Sequence, residues 1–172
     1  KTVTLTGAND DLVDGSQTST VTLSVVDGSS DDDFDGVADQ TVSVATTDSD
    51  VAGFTVIESG GTTTVAEDGS TTDDFTVVLD AQPISDVVIS VTSSDTGEVT
   101  VSPATLTFTS GNWDSSQTVT VTGVDDSLID GSQTTTITIA VVDESSNDSF
   151  DSLSDQTVSV STADDDTAGF TV

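Results

Sequence analysis

Residues 1–56 of this chain return, without a gap, as residues 117–172, and 36 of the 56 aligned positions are identical. LTGANDDLVDGSQT matches VTGVDDSLIDGSQT, and SSDDDFDGVADQTVSV matches SSNDSFDSLSDQTVSV. The 172 residues therefore hold about one and a half copies of a 116-residue unit, which is the mark of a tandem array. Any fold assigned to the chain must suit a whole unit and half of another. The repeated stretches DSDVAGFTV and DDDTAGFTV set the boundaries. Residues 1–50 read as the C-terminal half of a preceding repeat, 51–166 as a complete repeat, and 167–172 as the start of the next.

Inside the unit the apolar residues alternate with Thr, Ser and Asp at a period of two, the spacing of a half-buried strand. Thr2-Val3-Thr4-Leu5-Thr6 alternates, as do Phe75, Val77 and Leu79. Val87, Ile89 and Val91 share one face, and so do Leu106 with Phe108, Val119 with Val121, Ile137 with Ile139, and Val158 with Val160. No useful length of chain shows the 3.6-residue period of a helix. Thr and Val dominate, as pleated half-buried surfaces favour. The pattern predicts an all-β fold, an antiparallel immunoglobulin-like β-sandwich with about seven strands per unit. Trp113 is expected to plug the core or its rim, and Phe34 and Phe150 the end of the sandwich. A half unit leaves strand edges unpaired. Residues 1–50 are thus expected either to pair with a neighbouring chain, in a strand-swapped association, or to compete with residues 117–166 for the same partners.

The charge balance removes many functions. Asp and Glu number 32 against a single Lys, with no Arg and no His, for a net charge of −31. Phosphate contacts need Lys and Arg, so nucleic acid is excluded as a partner, and an anionic membrane surface by the same argument. No apolar run is long enough for a transmembrane helix, so no direct membrane insertion is expected. Cys is absent, which excludes disulfides, thiolate catalysis and Cys-type zinc sites. Ser is abundant, but without His nothing activates it in the usual way, and the chain reads as a non-enzyme. Oxygen ligands remain, and those suit hard cations, above all Ca²⁺.

The carboxylates are gathered between the strands. One cluster is Asp125-Asp126 with Asp130, matched in the first copy by Asp10 and Asp14. Another is Asp164-Asp165-Asp166, matched by Asp48 and Asp50. A third is DDDFDGVAD, which places Asp31, Asp33 and Asp35 before Gly36 as an EF-hand-type loop does. Its twelfth position is Val42 rather than Glu, and the second copy, NDSFDSLSD, loses the spacing, so calcium is expected there in the first copy alone. Adjacent carboxylates repel by roughly 1–4 kcal/mol per close pair, depending on the local dielectric. A Ca²⁺ ion taking 6–8 oxygens converts that repulsion into coordination. The single acids before strands, Glu58, Glu67-Asp68, Asp73-Asp74, Asp95 and Glu98, read more simply as solvated charges.

FTVIESGGTTTVAEDGSTTDDFTVVLDAQP, then SPATLTFTSGNWDSSQTVTVTGVDD, then the closing DDDTAG, resembles a Calx-beta repeat. The resemblance spans residues 54–169 and the half copy before them. It implies a seven-stranded sandwich holding Ca²⁺ at one end. The ligands it implies are Glu58, Asp95, Asp125, Asp126 and Asp130 with Asp164, Asp165 and Asp166, and in the half copy Asp10, Asp14, Asp48 and Asp50. The stretch after Asp126 is reduced to IDGSQ, which implies fewer ligands than in the exchanger domains of that family. Tandem acidic repeats of this kind without Cys are similar to the extender regions of giant RTX-type bacterial adhesins. That likeness implies a calcium-rigidified extracellular spacer at the bacterial cell surface, with neighbouring repeats as its partners through Ca²⁺-bridged junctions. A calcium-sensing regulatory domain and a carbohydrate-binding module are the alternatives. The aromatic content of 4% argues against the latter.

Overall fold

The computed structural model describes residues 1–170, so Thr171 and Val172, the end of the short 167–172 segment, lie outside the described residues. Two compact units are present. One comprises residues 1–10 and 14–49, and the other residues 11–13 together with the chain from Asp50 onward.

The first unit contains a two-stranded antiparallel hairpin of β1 (Gln17–Leu23) and β2 (Gln40–Thr46). The second is a sandwich of two sheets. Its strands are β3 (Phe54–Glu58), β4 (Thr63–Ala66), β5 (Thr72–Leu79), β6 (Val87–Ser93), β7 (Val99–Ser102), β8 (Thr105–Phe108), β9 (Gln117–Gly123), β10 (Gln133–Val141) and β11 (Gln156–Ala163). One sheet has the order β4-β11-β10-β6-β8, the other β3-β5-β9-β7. All pairs are antiparallel except β4 with β11.

The sequence predicts about seven strands in this unit, and the sandwich has nine. The difference arises where one pass of the chain serves both sheets. After β3 the backbone turns through Gly60 and Gly61, both at positive φ (66° and 81°), and β4 continues in the opposite sheet. Glycine alone takes that conformation without steric cost. Between β7 and β8 the switch occurs at Pro103, which has no N–H for a ladder. Period-two alternation resumes after each switch in shifted phase, passing from Phe54 and Val56 to Thr63 and Val65, and from Val99 and Val101 to Leu106 and Phe108.

The inward faces are those the alternation marks. Phe75, Val77, Val87, Ile89, Phe108, Val119, Ile137 and Val160 are all fully buried. Trp113 packs half-buried against this core, and Phe150 closes it completely. Phe34, the repeat equivalent of Phe150, is 58% exposed. The hairpin β1–β2 keeps the register of β10–β11: Val21 opposes Val42 as Ile137 opposes Val158. Yet Leu23 and Val42 are each 48% exposed, whereas Ile139 and Val158 are buried. A hairpin can be specified locally, but burying its apolar face takes a second sheet. Thr2-Val3-Thr4-Leu5-Thr6 forms no strand, although its equivalent lies in β9. There β9 hydrogen-bonds to β5 and β7, and residues 1–50 contain the counterpart of neither.

Candidate metal centre

Four segments converge at the sandwich end where β4, β9 and β11 finish and β7 begins. Thr63, Val65 and Glu67 occupy successive inward positions of the pass that contains β4, so Glu67 follows the core face past the strand end. The Glu67 N–H donates to the Ala163 carbonyl (3.1 Å), which sets Glu67 beside the start of the Asp164–Asp166 stretch. The Val124 N–H donates to the Glu98 carbonyl (2.9 Å), joining the entrance of β7 to the exit of β9 just before Asp125 and Asp126. Gly123 permits the approach: a Cβ there would overlap the Ala66 carbonyl.

Two groups of three carboxylates result. Glu67, Glu98 and Asp126 form one; Glu67, Asp164 and Asp166 form the other. Within each group, one oxygen from each residue lies within 4.8 Å of the others. Ligands on opposite sides of a Ca²⁺ ion are separated by about 4.6–5.2 Å, twice the Ca–O distance, so the spacing fits. Glu67 belongs to both groups and is only 1% exposed.

Glu67 Oε2, Glu98 Oε2 and Asp166 Oδ2 are all buried without a hydrogen-bond partner. Residues 51–166 contain no Lys, Arg or His, so no side chain there can neutralise them. Burial pushes the Glu67 carboxyl above the ordinary carboxylate range, and the charges of Asp126, Asp164, Glu98 and Asp130 push it further. Glu98 is raised by burial and then by Asp130, Asp126, Asp95 and Asp164. Asp166 is raised by burial and then by Asp165, Asp164, Asp125 and Asp126. Unpaired buried anions are costly, and a hard divalent cation is what this donor set suits. Backbone donors hold parts of the cluster in place. The Leu128 N–H donates to Asp126 Oδ1 (2.6 Å), the Gly131 N–H to Asp164 Oδ2 (2.7 Å), and the Asp166 N–H to Asp164 Oδ1 (2.8 Å).

Of the ligands implied by the sequence, Asp126, Asp164 and Asp166 fall within the two groups. Asp95, Asp125, Asp130 and Asp165 act on them through charge. Glu58 instead accepts from Thr63 Oγ1 (2.8 Å). In the first copy, Asp48 Oδ2 accepts from the backbone N–H groups of Asp14 (3.1 Å) and Gly15 (2.7 Å), the latter echoing Asp164 and Gly131. The carbonyl of Asp10 accepts from Asn9, and Asp50 is half-buried. Asp31 caps a short 3-10 turn by accepting from the Asp33 N–H (3.1 Å), and Asp33 and Asp35 are exposed. Among the described residues, none of these other positions joins a group of three.

Glu67 and Glu98 read as solvated charges in the sequence, yet both belong to these groups. A signal for Glu67 was present: it continues the inward alternation of Thr63 and Val65. Glu98 carried no comparable mark.

No protein-family model matches the chain, and no curated protein matches it. Solved structures with similar strand arrangements include domains 4 and 5 of the S-layer protein SbsC, at TM-score 0.47 and 24% identity over 86% of this chain and 58% of that one. The periplasmic chaperone SfaE aligns at TM-score 0.46 and 8% identity, over 66% of this chain and 57% of that one. The apo-form Calx CBD1 domain aligns at TM-score 0.41 and 15% identity, over 66% and 98%. The chain thus spans little more than half the length of the first two. The chain's own strand orders, β4-β11-β10-β6-β8 and β3-β5-β9-β7, define the sandwich.

Proposed function

We propose that the complete unit is a calcium-stabilised structural repeat, a spacer in an extracellular bacterial surface adhesin whose neighbouring repeats are its partners. The observation that carries this reading is Glu67: a carboxylate 1% exposed, with an unpartnered oxygen, shared by two carboxylate groups. Glu67, Glu98 and Asp126 with Asp164 and Asp166 would hold the cation. The bound cation supplies positive charge that replaces the missing basic side chains. Glu67 follows β4, Glu98 leads into β7, Asp126 follows β9 and Asp164 follows β11, so holding them together clamps four chain passes at one end. The role is mechanical rather than catalytic, in keeping with the absence of His and Cys. Among the described residues, no helix is long and apolar enough to cross a membrane.

Thermal unfolding and small-angle scattering of the chain in EDTA and in millimolar Ca²⁺ test the proposal. The expected result is a higher midpoint and a stiffer particle with Ca²⁺. Identical midpoints and scattering curves in the two buffers would refute it. Calorimetry separates the spacer from a sensor. Sites that reinforce extracellular modules bind Ca²⁺ at about 10⁻⁴–10⁻³ M, whereas sensors bind at about 10⁻⁷–10⁻⁵ M.

A further inference from the structure

Residues 11–13 belong to the second unit although they come from the first copy in sequence. They dock on the turn between β5 and β6. Leu12 forms a parallel bridge with Gln82. The Val13 N–H donates to the Gln82 carbonyl (2.9 Å) and the Gln82 N–H donates to the Asp11 carbonyl (2.7 Å). Gln82 is itself held by its amide, which donates to the Ser110 carbonyl (2.8 Å). Leu12 and Val13 are half-buried, and Val13 packs against the core.

At the 116-residue offset, Leu12 and Val13 correspond to Leu128 and Ile129. These are 62% and 58% exposed. The next segment is anchored alike in both copies, by Asp48 on the N–H of Gly15 and by Asp164 on the N–H of Gly131. An adjacent apolar pair on a loop of a chain with charge −31 is out of place in water.

We propose that Leu128 and Ile129 are a docking tongue for a further copy of the unit, adding to the backbone of its Gln82 equivalent as Leu12 and Val13 add to Gln82. The proposal rests on the tandem-repeat reading above and deepens it: repeats are joined by main-chain bridging as well as by any cation. Two reciprocal amide–carbonyl bonds fix register, and the apolar pair excludes water from them.

The test extends the full chain by appending residues 57–172 in register after Val172, and follows amide hydrogen exchange in Ca²⁺ and in EDTA. In the 172-residue chain the Val13 amide is expected to be protected and the Ile129 amide to exchange freely. In the extended chain Ile129 should slow by about 100-fold or more, the scale of a sub-globally protected amide. A folded extension with Ile129 still exchanging freely overturns the proposal. So does a freely exchanging Val13 in the 172-residue chain, which decides the matter even if the extension fails to fold. A protected Ile129 with no thermal response to Ca²⁺ would sink the calcium reading and leave the tongue standing. A calcium response with unprotected Ile129 would do the reverse.

Discussion

Replacing Glu67 with Gln should abolish the whole thermal response to calcium, because Glu67 is the one residue common to both carboxylate groups. The magnitude follows from linkage. For dissociation constants of about 10⁻⁴–10⁻³ M and 10 mM Ca²⁺, one ion stabilises the folded state by about 1.4–2.7 kcal/mol. One ion in each group gives about 3–5.5 kcal/mol, or roughly 6–20 °C in midpoint for a chain of this size. Glu67→Gln removes a ligand from both groups and should lose nearly all of that shift. Asp126→Asn and Asp166→Asn each touch one group and should lose about half. In EDTA the order reverses. Glu67→Gln should be at least as stable as the parent, since it removes a buried, repelled charge while keeping the shape. The assay is scanning calorimetry of the four proteins in 10 mM Ca²⁺ and in EDTA. If Glu67→Gln keeps the parent's calcium shift, the assignment of Glu67 as the shared ligand is wrong.

Other outcomes follow from the same structure. Glu67, Glu98 and Asp166 all have raised folded-state values, so the folded chain binds protons before the unfolded one does as pH falls. In EDTA, thermal midpoints should therefore rise as pH drops from neutral toward the ordinary carboxylate range; in Ca²⁺ they should fall, as protons displace the ion. Asp68 and Asp73 are lowered by hydrogen bonds and lose their contribution only below that range, so they do not mask the effect. Phe150→Ala should cost about 3–5 kcal/mol in urea unfolding, while Phe34→Ala at the equivalent exposed position should change little. Equal losses would show that residues 1–49 bury Phe34 after all. Gly123→Ala should force β9 away from Ala66, costing about 1–3 kcal/mol and weakening the calcium shift, because Ala66 adjoins Glu67. An unchanged calorimetric trace for Gly123→Ala would mean that the close approach is not needed to assemble the site.

The candidate site was legible in part. The acidic clusters point to Asp126, in the pair Asp125-Asp126, and to Asp164 and Asp166, in a run of three carboxylates that is hard to explain by solubility alone. The resemblance implies Glu58 as a ligand, whereas the carboxylate groups contain Glu67, nine residues later and on the other side of the Gly60–Gly61 switch. Local alternation cannot show that the chain has changed sheets between the two.

The sequence by itself determined the repeat, the inward residue of nearly every strand, the oxygen-only ligand chemistry and the setting of a single basic side chain, Lys1, against 32 acids. These are properties of composition and of a period that pleating imposes on the chain. Tertiary structure alone decided which identical patterns become real elements. TVTLT forms no strand at residues 2–6, while its equivalent lies in β9, because a strand exists only where a neighbour supplies its hydrogen bonds. It likewise decided that Phe150 is buried while Phe34 stands in solvent, and that Leu12 is docked while Leu128 is exposed. Burial depends on what is packed opposite, and no residue carries that information within its own segment of chain.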